Sequence, residues 1–185
     1  MSRLRDDESG ALRSSVSIRP ARDSDMLEIS WIYAHHVSHG RASFEEIVPS
    51  REEMQSRRQA ILAMGLPYFV AERDGRVLGY SYAAPYRTRS AYRYTVEDTI
   101  YVADGLGRQG IGSALLGALI HACEAGPWRQ MIAVIGDSRN IGSIKLHERH
   151  GFKHAGLLKN VGYKFDDWLD SVIMQRPLGQ DSGSS

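Results

Sequence analysis

Three hydrophobic patterns succeed one another along the chain: helical stripes, strand-like alternation and short all-apolar runs. Val16-Ser17-Ile18-Arg19 alternates like a strand and stops at Pro20, which has no N–H for a ladder. Met26, Ile29, Tyr33 and Val37 recur at helical spacing, a stripe that Asp23 could cap and that ends near Gly40. Ser50 with Glu53 three residues on reads as a capping box. Met54, Arg58, Ile61 and Leu62 continue it as a second helix, closed by Gly65-Leu66-Pro67. Tyr68–Glu72 and Val77–Ala84 flank Arg73-Asp74-Gly75-Arg76, whose Asp-Gly pair predicts a tight hairpin. A loop rich in Arg and Tyr (Pro85 to Tyr94) leads to the strand Thr95–Val102, and a glycine-rich turn comes next. Ile111, Leu115, Leu119 and Cys123 then mark the inward face of a third helix. Met131–Ile135, all apolar, reads as a buried strand. Asn140 to His150 reads as a short helix stopped by Gly151, and Phe152–Leu178 as two more strands around Gly156–Tyr163.

That order, β-α-α-β-β-β-α-β-α-β-β, predicts a mixed α/β domain with hairpins at both ends and one βαβ unit in the middle. With 185 residues there is enough chain for one well-filled core. The domain is expected to span 15–178, between loose tails at 1–14 and 179–185 that are rich in Ser, Gly and charge.

Composition removes several classes. Lys and Arg number 23 against 22 Asp and Glu, which gives no general attraction for nucleic acid or an anionic membrane. Cys123 is the only cysteine, so neither a disulfide framework nor a thiolate metal cluster can form. On its apolar stripe it reads as a small core residue. His35, His36 and His39 contain an i, i+4 pair without a third ligand pattern, so no metal is expected. Met1–Ser15 lacks the apolar core of a signal peptide, and the stretch 111–123 is too short to span a bilayer. A soluble, cytoplasmic protein is the expectation.

The chemistry gathers at Val96–Ser113. A strand, four glycines between 105 and 112, and a helix start make an anion site, because the first N–H groups of a helix have no internal partners and the dipole is positive there. Gly105-Leu106-Gly107-Arg108-Gln109-Gly110 is literally G-x-G-x-x-G. A dinucleotide fold would need an acid about 20 residues on and further parallel crossovers. Asp137 stands 27 positions past Gly110, and the C-terminal stretch of chain reads as a hairpin. No Gly-Lys-Ser/Thr comes after the turn either, which removes the nucleotide-triphosphate loop.

Shifted by two residues, Gly107-Arg108-Gln109-Gly110-Ile111-Gly112 resembles the pyrophosphate loop Q/R-x-x-G-x-G/A of the GNAT superfamily of acyl-CoA N-acetyltransferases, with Gly107 in place of Gln or Arg. Asn140-x-x-Ser143-x-x-x-His147-x-x-x-Gly151-Phe152 resembles its second signature, with His where Tyr is usual. Pro85–Tyr92, Thr95–Val102, Ala133–Gly136 and Gly162–Asp170 are similar to the phosphinothricin and methionine sulfoximine N-acetyltransferases. The resemblance implies a GNAT-type, mostly antiparallel twisted sheet with helices on both faces and a central βαβ acyl-CoA site. It also implies a homodimer that moves acetyl from acetyl-CoA to the amino group of a small amino-acid analogue such as phosphinothricin, methionine sulfoximine or methionine sulfone.

Acetyl transfer to an amine requires the amine neutral and the thioester carbonyl polarised. Glu97 is the expected base, through a water, with Asp98 in reserve on the opposite face of a regular strand. His147 stands at the family's acid position and could serve as acid or base, or be a helix histidine satisfied by a neighbour. For acetyl-CoA, the resemblance implicates the N–H groups of Arg108, Gln109, Gly110, Ile111, Gly112 and Ser113, with Tyr101 and Val102 pairing the pantetheine arm as an added strand and Asn140 bonding it. Arg108 and Arg139 could add charge for phosphate. Arg87 and Arg89 suit bidentate capture of an acceptor carboxylate or phosphinate, and Tyr92, Phe44 and Val134 could wall its pocket. A transferase for another amine, or a coenzyme A-binding sensor without catalysis, are the competing functions.

Overall fold

The structure is a computed structural model that describes residues 15–179. The tails expected at 1–14 and 179–185 lie outside the described residues, apart from Gly179. In chain order the elements are β1 (Ser17–Pro20), α1 (Met26–His39), α2 (Arg51–Ala63), β2 (Tyr68–Arg73), β3 (Arg76–Pro85), β4 (Thr95–Val102), α3 (Ile111–Glu124), β5 (Gln130–Gly136), α4 (Ile141–Arg149), β6 (Lys153–Lys164) and β7 (Asp167–Pro177). The strands form one seven-stranded sheet in the order β1-β2-β3-β4-β5-β7-β6. Every neighbouring pair is antiparallel except β4 with β5, the pair joined through α3. The mixed α/β order read from periodicity is the observed one.

Side-chain alternation along β3 sorts the helices onto two faces. Tyr80 and Tyr82 stack with Tyr68, and Tyr80 reaches Tyr101, which in turn packs edge-on against Tyr33 of α1. Ser81, between them, points the other way and donates to the carbonyl of Leu115 in α3. Leu116, Leu119 and Cys123 close the core on that second face. Burial pushes the Cys123 thiol up to about 12, so it stays protonated, as a small core residue should.

Local chemistry explains most boundaries. Ser50 Oγ accepts the N–H of Glu53 at 3.1 Å and starts α2. Asp74 and Gly75 both take positive φ, the conformation that the β2–β3 hairpin needs. Asp23 does not cap α1. It sits in a single 3-10 turn, Asp23–Asp25, and its carboxylate receives Nη1 of Arg58 at 2.5 Å. Arg58 is therefore a buried cation in an ion pair, and Leu62, placed on the same stripe by spacing, is exposed. The last hairpin also differs from expectation. β6 continues through Gly156–Tyr163, with its register against β7 broken between His154 and Gly156 and again between Leu158 and Gly162 around Asn160, and the chain reverses at Phe165-Asp166, both with positive φ. No Gly or Asn marks that turn, so the sequence hides it. β6 is an edge strand with an exposed apolar row of Leu157, Leu158, Val161 and Tyr163.

Candidate active site

β4 and β5 stay paired only from Thr95 to Glu97, opposite Gln130 to Ile132. Both run on, to Val102 and Gly136, and part as they go, leaving a wedge in the middle of the sheet. The other edge of β4 never leaves β3. Tyr86 N–H donates to Thr95 at 3.2 Å, Ala103 N–H donates to Leu78 at 2.9 Å, and the register between them is unbroken. Main-chain groups alternate sides along a strand. The odd positions of β4 therefore face β3, while Asp98, Ile100 and Val102 turn theirs to the wedge. This corrects Tyr101: its main chain belongs to Tyr80, and an added strand would pair with Ile100 and Val102. Ile100 was missed because its parity is counted from a ladder bond that only the fold supplies.

The wedge opens into a cleft of about 1110 Å³. At one end lies the glycine turn. Gly110 caps α3 with φ 81°, a left-handed conformation that glycine alone adopts freely. Gly107 has neither a positive φ nor any atom within 4 Å of where a Cβ would stand, so the turn does not demand glycine there. Ile111, Gly112 and Ser113 form the first turn of α3, where N–H groups lack helical partners. Ser113 Oγ meets Nε2 of His150 at 2.8 Å. Arg108, Lys145 and Arg149 are among the cleft's lining and bring positive charge to it, with Asp104 beside the glycine turn opposing them. Lys145 and Arg149 were missed, although their i, i+4 spacing on α4 was a usable signal. Gln109 is exposed and stands outside the cleft wall. Arg139 is already committed, to Asp137 at 2.8 Å and Asp167 at 2.7 Å, and so is not a free phosphate cation. Asn140 caps α4 by accepting Ser143 N–H at 3.2 Å, while its side chain still faces the cleft.

Glu97 lies half-buried where the strands begin to part. Burial raises its carboxyl to about 7, the negative charge of Asp98 adds to the rise, and Arg87 opposes it. Asp98 points to the other face, as strand alternation requires, and is held by His147. That histidine is 4% exposed. Its Nδ1 lies 2.8 Å from the Ser143 carbonyl and its Nε2 3.0 Å from Asp98 Oδ2. A carbonyl can only accept, so Nδ1 carries hydrogen, and a carboxylate at Nε2 favours a proton there too. Burial works against that charge, but the hydrogen bond and charge of Asp98, with the Ser143 carbonyl, outweigh it and raise the His147 pKa. Both ring nitrogens are thus occupied. The residue expected as acid/base at 147 is buried, with each ring nitrogen already partnered and none free for a thiolate. Asp98 keeps one buried oxygen, Oδ1, without a partner among the described residues.

The histidines of α1 separate. His36 bonds the Val102 carbonyl through Nε2 at 2.8 Å, and burial lowers its pKa, so it is the neutral donor that steadies the end of β4. His35 stacks on His39 instead.

Opposite the glycine turn, Phe44 and Val134 wall the cleft with Tyr33, Tyr82 and Ser43. Val134 is 40% exposed within an otherwise buried strand, because β4 has moved away from it there. Arg87, Arg89 and Tyr92 are exposed and stand outside this wall. Arg87 lies over the Tyr86 ring at 4.7 Å. Of that loop, only Arg87 acts on the cleft, through its charge on Glu97.

The donors fit an acyl-CoA: a main-chain edge for the pantetheine amides, free helix N–H groups and three cations for phosphates. Comparison with known proteins agrees. The acetyltransferase (GNAT) domain family matches residues 18–173. The chain is 55% identical over 166 residues to phosphinothricin N-acetyltransferase of Alcaligenes faecalis, covering 90% of this chain and 84% of that one. It is 38% identical to an L-methionine sulfoximine/L-methionine sulfone acetyltransferase of Pseudomonas paraeruginosa, over 89% and 95% of the two chains. Among solved structures, a phosphinothricin acetyltransferase of Sinorhizobium meliloti in complex with acetyl-CoA superposes with TM-score 0.88 at 43% identity, covering 92% of each chain. A wedge between two parted strands, a left-handed Gly110 opening a helix, and these likenesses lead to one assignment: the chain belongs to the GNAT family of acetyl-CoA-dependent acetyltransferases.

Proposed function

We propose that the protein transfers acetyl from acetyl-CoA to the amino group of phosphinothricin, methionine sulfoximine or a closely similar amino-acid analogue. The observation that carries this reading is Glu97, half-buried at the apex of the wedge with a pKa of about 7. A base poised there takes a proton from the acceptor's ammonium group, through a water, near neutral pH. The freed nitrogen attacks the thioester carbonyl, the N–C bond forms as the C–S bond breaks, the nitrogen gives up its second proton to solvent, and coenzyme A leaves as a thiolate that takes up a solvent proton. The Val102 or Ile100 N–H is the donor available to the carbonyl oxygen as charge develops on it. Arg108, Lys145, Arg149 and the first turn of α3 hold the phosphates, and Phe44 and Val134 enclose the acceptor. Arg87 attracts its carboxylate at the rim. In this reading His147 is not the proton donor; it fixes Asp98 and the start of α4.

Acetyl-CoA alone is expected to raise the melting temperature, and free thiol should appear on adding either analogue. Stabilisation without thiol release across a panel of amines would instead mean a sensor. The exposed apolar row of β6 fits a second copy of this chain, edge strands of this length being hazardous when left open. Sedimentation at micromolar concentration should give twice the chain mass; a monomer would refute the homodimer.

A further inference from the structure

Lys164 is the least expected charge in the molecule. It is 2% exposed, at the end of β6. Its Nζ donates to the carbonyls of Gly40 at 3.0 Å and Ser43 at 2.8 Å, in the connection between α1 and α2. Neither partner is a carboxylate. The cation is committed to holding one turn of chain lying more than 120 residues away in sequence.

That turn is fixed from other sides as well. Ser43 Oγ meets Tyr33 Oη at 3.0 Å and accepts the N–H of Glu45 at 3.2 Å. Phe44, between them, lays its ring in a slot bounded by two glycines. A Cβ added at Gly162 of β6 would stand 2.4 Å from the ring, and one at Gly136 of β5 would stand 2.9 Å from it. Neither glycine has a positive φ, so it is missing bulk, not backbone freedom, that these positions supply. Gly136 is further closed by the Ala42 carbonyl at 2.8 Å from the same Cβ, whereas at Gly162 the ring is the nearest obstacle.

We infer that Lys164 and Gly162 are positioning residues for acceptor specificity: from β6 they fix the depth at which Phe44 closes the acceptor end of the cleft. The inference rests on the proposed acceptor reading. Reach along the acceptor's side chain is then set by the last hairpin, not by the α1–α2 connection that carries Phe44. A methyl at 162 pushes the ring into the cleft, and a lysine without its ammonium lets the turn drift.

The test is a cycle of Gly162→Ala and Phe44→Ala, read by thiol release with phosphinothricin and with acceptors lengthened by one and two methylenes. Gly162→Ala should raise the acceptor KM about tenfold and leave the acetyl-CoA KM within about twofold, the size expected of one misplaced methyl in a pocket. Phe44→Ala should improve the longer acceptors relative to the shorter, and in that background Gly162→Ala should have no further effect. Lys164→Met should show the same split between the two KM values, with Lys164→Arg restoring part of it. Melting curves with saturating acetyl-CoA establish that each variant is folded. Equal effects of Gly162→Ala in both backgrounds, or parallel rises in both KM values, would overturn the inference. Absence of turnover by the unaltered protein would instead overturn the acceptor reading on which it rests.

Discussion

Glu97→Gln is expected to lower kcat/KM for the acceptor by about 10²- to 10⁴-fold, the usual worth of a positioned general base. Glutamine keeps the volume and a carbonyl oxygen, so substrate binding should change little while the proton loses its destination. The pH profile gives the sharper reading. With a carboxyl near 7, the unaltered enzyme should gain rate as pH rises through about 7 and then level off. The variant should lose that limb and follow only the acceptor's own fraction of free amine, which rises up to the amine's pKa. A profile unchanged in shape would remove Glu97 from the mechanism. Stability should move in the opposite direction. The folded state holds the proton more tightly than the unfolded chain, whose Glu titrates near ~4.3. The cost of ionising Glu97 therefore appears as pH rises above that value and is complete above about 7. Glu97→Gln should melt higher than the parent at pH 8 and no higher near pH 4, the trade of stability for activity common at catalytic sites.

His147→Phe is expected to cause the largest loss of stability, about 3–5 kcal/mol, because removing one partner leaves the buried Asp98 carboxylate alone. Phenylalanine keeps the edge contact with Phe152 but offers no donor, and Asp98 Oδ1 already lacks one. The raised pKa of His147 gives this loss a definite pH dependence. Its stabilisation is fully present below the unfolded value of ~6.5 and is lost as pH rises through the higher folded value. The gap in melting temperature between parent and variant should therefore be widest in mildly acid buffer and narrow as pH rises. Below its melting point, with acetyl-CoA present, the variant should keep kcat within about tenfold of the parent, well short of what loss of a proton donor costs. A large fall in kcat with melting unchanged would restore His147 as the acid and refute the buried-pair account.

Much of this architecture was legible because it is local. Apolar spacing placed every helix and all but the last strand boundary, and Asp74-Gly75 announced its own turn. The glycine turn and helix start expected after β4 are found, with a left-handed Gly110 opening α3. The alternation that put Glu97 and Asp98 on opposite faces also held. What escaped depends on contacts between distant segments. Tyr101 in place of Ile100 is an error of parity along β4, fixed only by the ladder to β3. Val134 is exposed because β4 departs from β5, a divergence that no residue in either strand advertises. Arg89 and Tyr92 have the right chemistry for an acceptor but stand outside the cleft. Lys164 looks like any surface lysine until β6 meets the α1–α2 connection. Phe165-Asp166 turns the chain with only Asp166 to suggest it, since Phe rarely takes a positive φ.

The wedge along β4 has one more consequence. A cosubstrate met by the peptide units of Ile100 and Val102 and by the N–H groups at the start of α3 is recognised through atoms that every residue but proline carries. Drift in the side chains of β4 is therefore almost silent for this part of the cosubstrate, provided β4 stays extended and position 110 can stay left-handed; only the phosphate end, in the proposed reading, leans on the side chains of Arg108, Lys145 and Arg149. In the proposed reading the acceptor enjoys no such immunity, since Phe44, Val134 and Glu97 would meet it with their side chains. Divergence of the chain should redirect what is acetylated long before it alters what donates the acetyl group.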